Sequence, residues 1–301
     1  MRIWLTGATG FVGSAMRRVL GERHGHDLLV DRVELTSVDA VRKAADAFAP
    51  DAIVHCAILA DFGRLERHPQ LAWRSHVGAT ATLADAADRH AARLVLISTD
   101  WVFDGVTGGY GEADAPGPIN PYGYLKAASE LAALAVRRGT VARLAGVQGV
   151  HWARPNAALE QGIGFASIAL GVVDALRRGE RYRVWDGPGI NRVASPILST
   201  HAADLVHRVL VTDTGGILHV VGAEAVDRVE LAQRTARAFG LDESLLDVAP
   251  PPAPAARLRV PENTSLRCDE TARVLGTRLP DLDVRVTDCR RVVGWAQGNS
   301  L

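Results

Sequence analysis

The first half of the chain alternates short apolar runs with longer segments in which apolar residues recur at helical spacing. Five apolar runs have the length of buried strands, and they cover residues 2–5, 27–30, 52–57, 94–98 and 141–144. The segments between them are rich in alanine and amphipathic. Regular alternation of strand and helix predicts an α/β fold with a doubly wound parallel sheet.

Beyond about residue 150 the order of elements is less regular. We expect a helix at 167–178, a strand at 182–185, a helix at 200–210 and a strand at 217–221. The proline-rich residues 250–254 predict a stiff extended loop. These patterns predict a first domain of residues 1–150, to which residues 192–222 return, and a smaller lobe formed mainly by residues 151–301.

A glycine-rich turn follows the first strand and precedes a helical pattern. Its glycines are Gly7, Gly10 and Gly13, in the spacing G-x-x-G-x-x-G. Such a turn brings a pyrophosphate against backbone N–H groups at the positive end of a helix dipole. Because the turn lies between a buried strand and a helix, it favours a nicotinamide dinucleotide site over a purely structural turn.

Lysine is almost absent from the chain, yet one lysine lies four residues after a tyrosine. The chain has 32 arginines and only two lysines, Lys43 and Lys126. On a helix, Tyr122 and Lys126 share one face. An ammonium beside a phenol is expected to lower the phenol pKa, so that the tyrosine exchanges a proton near neutral pH. A surface tyrosine and a surface lysine are the alternative for this pair alone.

Composition excludes several classes of function. The 34 basic and 34 acidic residues balance, so no net field attracts nucleic acid or an anionic membrane. Three cysteines form no CxxC pair or even framework, which favours a reducing cytoplasm. The chain begins directly with a strand pattern, which argues against a cleavable signal. The histidines show no metal-ligand spacing, so we expect no metal.

Two motifs give the chain a family resemblance. Ser98-Thr99-Asp100-Trp101-Val102-Phe103-Asp104-Gly105 ends the fourth strand, and Asn120-Pro121-Tyr122-Gly123-Tyr124-Leu125-Lys126 follows it. With the glycine turn, these motifs resemble the extended short-chain dehydrogenase/reductase family, and within it the dTDP-4-dehydrorhamnose reductase group. The resemblance runs along nearly the whole chain. It implies a Rossmann-type sheet with a C-terminal substrate-binding lobe.

The resemblance also implies a role for individual residues. Tyr122 would donate the proton, Lys126 would hold the nicotinamide ribose and assist Tyr122, and Thr99 would polarise the substrate carbonyl. Asp100 and Trp101 would face the substrate. The expected cofactor contacts, besides Tyr122 and Lys126, are Gly7, Gly10, Phe11, Val12, Gly13, Glu34, Leu35, Cys56, Ala57, Ile58 and Ser98.

The choice between NADPH and NADH stays open. Asp31, near the end of the second strand, would bind the adenosine ribose hydroxyls and favour NADH. Arg32 beside it would instead accept the 2′-phosphate of NADPH.

The chain departs from the family pattern mainly around the substrate. Trp101 replaces a tyrosine, His76 replaces an asparagine, and Ile197 stands where the family usually has the threonine of S-P-T. The loop 59–68 also does not follow the family pattern.

From the resemblance we expect an NAD(P)H-dependent ketone reductase, acting on a nucleotide-linked 4-keto sugar. Two alternatives stay open. One is a short-chain reductase or dehydrogenase for another carbonyl or alcohol in a specialised-metabolite pathway. The other is a non-catalytic cofactor-binding regulatory subunit, because that of methionine adenosyltransferase resembles the same reductases. The expected partner is a small-molecule substrate, with a homodimer left open.

Overall fold

The computed structural model describes residues 1–59, 61–155, 161–252, 259–283 and 287–289. The strands within these residues are β1 Arg2–Thr6, β2 Asp27–Leu29, β3 Ala52–His55, β4 Arg93–Thr99, β5 Gly139–Leu144, β6 Tyr182–Trp185, β7 Val193–Ala194, β8 Gly216–His219, β9 Val226–Asp227 and β10 Leu246–Ala249. The α-helices are α1 Phe11–Met16, α2 Val38–Phe48, α3 Phe62–Arg67, α4 Pro69–Trp73, α5 Ala79–Arg89, α6 Pro121–Leu134, α7 Ile168–Arg177, α8 Ser199–Val211, α9 Arg228–Phe239 and α10 Asp269–Leu275.

Six strands form one parallel sheet in the order β2-β1-β3-β4-β5-β8. The four central strands β1, β3, β4 and β5 are mostly apolar and buried, because both faces of the sheet are covered. On β1, Ile3 and Leu5 belong to the core on one face, and Trp4 belongs to the core on the other face. Helices therefore cover both faces. This arrangement confirms the predicted α/β fold with a doubly wound, Rossmann-type parallel sheet.

The remaining strands form two small pairs outside the main sheet. Strands β6 and β10 pair in parallel, and β7 and β9 pair antiparallel. Strand β8 pairs with β5 in the main sheet. The division into domains at residue 150 stays a prediction. Residues 253 and 254 of the predicted proline loop lie outside the described residues.

Three predicted strands extend beyond the observed ones, and the first of them, β2, ends at Leu29 instead of residue 30. Strand β3 ends at His55 instead of residue 57, because the backbone N–H of Ala57 donates to the Thr6 hydroxyl, 3.3 Å away. The strand expected at 217–221 is β8, which ends at His219. Among the described residues, no helix combines the length and apolar character needed to cross a bilayer.

Candidate functional site

The turn between β1 and α1 fits only glycine at two of its positions. Gly7 has φ of +70°, and a Cβ there would lie 2.6 Å from the backbone nitrogen of Ala57. A Cβ on Gly13 would lie 2.1 Å from the carbonyl oxygen of Gly7. The missing side chains let the turn pack closely on the segment after β3, and let α1 pack closely on the turn. We call this turn, residues 7–13, the glycine cradle.

A cavity of about 590 Å³ opens between the glycine cradle and the carboxyl ends of β4 and β5. This volume falls within the usual range for a small-molecule site. Most of the residues predicted from the sequence line it together: Gly7, Gly10, Phe11, Val12, Gly13, Cys56, Ala57, Ile58, Ser98, Thr99, Asp100, Trp101, Tyr122 and Lys126. Their individual roles stay predictions.

The four residues expected near the adenosine lie elsewhere. Asp31, Arg32, Glu34 and Leu35 follow β2 and are not among the described residues that line the cavity. A hydrogen bond from the Thr36 hydroxyl, 2.7 Å long, lowers the pKa of the Glu34 carboxyl. Leu35 packs against the core beneath α2. Strand β2 pairs in parallel with β1. The loop after β2 therefore leaves the sheet at the same end as the glycine cradle.

Lys126 is buried on α6, and its ammonium faces the end of β4. Its Nζ donates to the carbonyl oxygen of Ile97, 2.6 Å away. Burial lowers the pKa of Lys126 to about 8, while the nearby Glu130 carboxylate partly opposes that shift. The side chain is therefore still mostly protonated at pH 7, and two of its three N–H bonds are left for other partners.

The prediction that the pKa of Tyr122 is lowered is wrong. Burial raises the pKa of Tyr122 to about 12, and the negative charge of Asp100 adds to the shift. A hydrogen bond with the Thr99 side chain opposes it in part. The physical reason is that loss of hydration and a neighbouring carboxylate both disfavour the phenolate. Tyr122 is thus a protonated phenol at neutral pH, which is the form that a proton donor needs.

Thr99 and Asp100 form a hydrogen-bonded unit at the end of β4. The Thr99 hydroxyl donates to Asp100 Oδ1 at 3.0 Å and accepts from the backbone N–H of Trp101 at 3.2 Å. The other Asp100 oxygen, Oδ2, accepts from the hydroxyl of Thr264. Burial raises the pKa of Asp100 to about 6, against these hydrogen bonds. Both oxygens of this carboxylate, predicted to face the substrate, are thus engaged within the protein.

Aromatic rings surround the phenol of Tyr122. The Phe62 ring is perpendicular to it at a centroid distance of 5.5 Å, and the Trp101 ring meets it edge-on at 6.1 Å. His76 adds a third edge contact at 6.3 Å. Burial, followed by the charge of Lys126, lowers the pKa of His76 to about 4, so its ring is neutral. These rings cover part of Tyr122, which stays half-buried on the cavity wall.

A buried ion pair supports the wall behind Ser98. The Ser98 hydroxyl donates to Glu130 Oε1 at 2.5 Å, and Arg143 binds the same carboxylate through Nε at 3.0 Å and Nη2 at 2.7 Å. Removing one partner of such a pair typically costs about 3–5 kcal/mol because the other charge is left buried. Ser98 therefore lines the cavity, but its hydroxyl donates to Glu130 behind the cavity wall.

Several cavity residues are absent from the sequence-based prediction. Asn191 and Phe165 come from the C-terminal part, and Arg154 approaches beside His151. His151 also borders the pocket, and its ring meets Phe11 at a centroid distance of 5.9 Å. None of the missed residues has a local motif, since only the tertiary fold brings them to the cavity.

The cavity fits a nicotinamide dinucleotide. Gly7 and Gly13 permit the tight turn and the close packing of α1 that a pyrophosphate site at a helix start requires. Lys126 supplies a buried cation on the same wall, and the volume is sufficient for a ligand of several rings. The glycine cradle and the Lys126 ammonium are therefore groups that suit such a cofactor.

A model of the RmlD substrate binding domain family matches residues 1–293. The chain belongs to this family. It is 30% identical over 251 residues to a dTDP-4-keto-6-deoxy-D-glucose reductase of Streptomyces niveus, covering 79% of each chain. It is 28% identical over 307 residues to methionine adenosyltransferase 2 subunit beta of Mus musculus, covering 93% of this chain and 84% of that protein. Among solved structures, a dTDP-4-dehydrorhamnose reductase from Bacillus anthracis in complex with NADP has the same fold. Its TM-score is 0.77 at 21% identity, over 96% of this chain and 98% of that chain.

Proposed function

We propose that the chain is an NAD(P)H-dependent reductase that converts the ketone of a nucleotide-linked 4-keto sugar into an alcohol. The convergence of Thr99, Tyr122 and Lys126 on the cavity that also contains the glycine cradle carries this proposal. The S. niveus relative, which covers most of the chain, is a reductase of such a sugar. The NADP of the B. anthracis structure agrees with the expected cofactor.

Tyr122 is the proton donor in this mechanism. Its high pKa keeps the phenol protonated at neutral pH, and an alkoxide is a stronger base than a phenolate. Transfer of the phenolic proton to the new alkoxide is therefore favourable. Three aromatic rings pack against the phenol, which holds it in place as the positioned proton donor. Thr99, fixed by Asp100, holds the phenol through its side-chain hydrogen bond.

Lys126 stabilises the negative charge left on Tyr122 after the proton leaves. Its ammonium is held at the end of β4 by the Ile97 carbonyl, and the Glu130 carboxylate one turn further along α6 favours its charged form. A bound reduced nicotinamide would supply the hydride. Gly7, Gly10 and Gly13 would hold its pyrophosphate, and Lys126 its ribose.

A cofactor-binding regulatory subunit is the second candidate function. The observation that favours it is the similarity to methionine adenosyltransferase 2 subunit beta over 93% of the chain. Under this proposal the chain binds a nicotinamide dinucleotide and a methionine adenosyltransferase catalytic subunit, with no turnover of ketones.

The sequence also leaves open whether the chain forms a homodimer. Analytical ultracentrifugation of the purified protein would measure its oligomeric state.

A substrate panel with both reduced cofactors tests the proposal. The panel contains dTDP-4-keto-6-deoxyglucose, a UDP-linked 4-keto sugar and simple ketones without a nucleotide. We expect oxidation of NADPH or NADH with a nucleotide sugar and none with the simple ketones. If only simple ketones were reduced, the chain would still be a reductase, but its substrate would not be a nucleotide sugar. Cofactor binding with no turnover, together with binding of a methionine adenosyltransferase catalytic subunit, would favour the regulatory function.

A further inference from the structure

Asn191 is a fully buried residue on the cavity wall with one unsatisfied polar atom. It lies in the loop between β6 and β7. Its backbone N–H donates to the Ile163 carbonyl at 2.8 Å, and its carbonyl accepts from Arg228 Nε at 2.7 Å. Its side-chain Oδ1 accepts no hydrogen bond from any described residue.

The hydrogen bonds of Nδ2 fix the orientation of the Asn191 side-chain amide. Nδ2 donates to the carbonyl of Pro261 and to the hydroxyl of Thr264, each at 2.9 Å. A flipped amide would place its oxygen against the Pro261 carbonyl, which can only accept. Oδ1 is therefore the acceptor left without a partner, and a buried acceptor without one costs free energy.

Arg228 makes this wall rigid. Besides the Asn191 carbonyl, its guanidinium binds the carbonyls of Gly162, Ile163 and Gly164. Burial lowers the pKa of Arg228 to about 10, and the ion pairs among the described residues include none to it. A buried cation surrounded by carbonyls fixes the loop around it. Gly164 in turn lies against Trp101, since a Cβ there would be 3.6 Å from Trp101 Cζ2.

A chain of hydrogen bonds connects Asn191 to the proposed catalytic residues. Thr264 accepts from Asn191 Nδ2 and donates to Asp100, whose other oxygen accepts from Thr99. The position of the Asn191 amide is thus coupled to the position of the Thr99 hydroxyl. A group bound by Asn191 would be held at a defined distance from Tyr122.

We propose that Asn191 Oδ1 accepts a hydrogen bond from a ring hydroxyl of the substrate and so selects a hydroxylated sugar over its deoxy analogue. Arg228 is the positioning residue for this contact. The inference deepens the proposed function and rests on it. A site with a buried acceptor rejects a ligand that lacks the donor, because the acceptor then stays unpaired.

Equilibrium binding tests the inference without turnover. The ligands are a dTDP-6-deoxyhexose with the reduced 4-hydroxyl and its 2-deoxy and 3-deoxy forms, titrated by calorimetry. We expect wild type to bind one deoxy form at least about tenfold more weakly than the full sugar. Asn191→Ala should lose about the same factor for the full sugar and much less for that deoxy form.

Thr264→Val is the matched control, since it removes a partner of Nδ2 and leaves Oδ1 in place. We expect it to weaken all three ligands by a similar factor. Arg228→Lys, which cannot bind four carbonyls at once, should reduce the wild-type discrimination between full and deoxy sugars. Equal binding of all three sugars by wild type, or an equal loss for all three in Asn191→Ala, would overturn this inference alone. Wild type that binds none of them would overturn the proposed substrate class and this inference with it.

Discussion

Phe62 stacks on Trp101, with ring centroids 5.8 Å apart and an angle of 21° between the ring planes. The two residues come from different segments, α3 and the end of β4. Both rings also meet Tyr122 edge-on. Both rings of the stack therefore pack against the phenol ring. Trp101 lines the cavity, and Phe62 comes from the segment 59–68 that departs from the family pattern.

Trp101→Tyr should change the Michaelis constant for the substrate several-fold. The smaller ring loses part of the stack on Phe62 while leaving the glycine cradle untouched, so cofactor affinity and melting temperature should be nearly unchanged. Steady-state kinetics and thermal melting measure both. Trp73→Tyr is the control, because Trp73 is exposed on α4. A large fall in melting temperature without a kinetic effect would assign Trp101 to the core alone.

Tyr122→Phe should lower turnover by about 10²- to 10⁴-fold, since it removes the proposed general acid and keeps the ring. Tyr124→Phe on the same helix is the control, because Tyr124 is 61% exposed. The fold should survive both changes, which circular dichroism checks. Wild-type turnover in Tyr122→Phe on the true substrate would rule out the proton-donor role.

Lys126→Arg should lose activity and cofactor affinity together. A planar guanidinium replaces a compact ammonium in a buried site whose donor contacts the Ile97 carbonyl at 2.6 Å. Lys43→Arg is the matched control, as the other lysine of the chain is exposed on α2. Fluorescence titration with NADPH and NADH gives the affinities. Full activity in Lys126→Arg would contradict a specific need for the ammonium.

The pH profile of kcat/KM should be bell-shaped, with limbs near the pKa values of Asp100 and Lys126. Activity falls as pH decreases through about 6, where Asp100 gains a proton and ceases to fix Thr99 as a carboxylate. It falls again as pH rises through about 8, where Lys126 loses its charge. Asp100→Asn should abolish the acidic limb and keep the basic one. An unchanged acidic limb in that variant would assign it to another group.

Asp31→Ala should shift cofactor preference toward NADPH, and Arg32→Ala should shift it toward NADH. The first change removes a partner of the ribose hydroxyls, and the second removes a cation for the 2′-phosphate. Both side chains are exposed, so melting temperatures should not change. The ratio of the two dissociation constants is the measurement. An unaltered ratio in both variants would show that the adenosine binds away from the loop after β2.

Features set by local chemistry were predictable from the sequence. Helix α6 begins at Pro121 because Asn120 accepts a hydrogen bond from the backbone N–H of Gly123 at 2.9 Å. Strand β1 and the glycine cradle follow from a continuous apolar run and from the spacing of Gly7 and Gly13. The gathering of Thr99, Tyr122 and Lys126 was expected from a family resemblance, since their spacing alone does not specify it.

Features set by tertiary packing were not predictable. Phe62 reaches Tyr122 from α3, and Asn191 reaches the cavity from the loop after β6, with no spacing rule to indicate either contact. The pKa of Tyr122 was expected to fall because only its neighbour on the helix was considered. Burial under the aromatic rings and the charge of Asp100 determine the opposite direction. Both depend on which segments meet, and a local pattern contains no such information.

The hydrogen bond from Thr264 to Asp100 joins residues separated by 164 positions. During synthesis on the ribosome, residues 1–150 emerge with the glycine cradle, Thr99, Tyr122 and Lys126 already in the chain. The carboxylate beside Thr99 gains its second hydroxyl partner only after residue 264 has left the exit tunnel. A nascent chain therefore has the residues proposed to hold a cofactor well before it has the residue that completes the hydrogen bonds of Asp100.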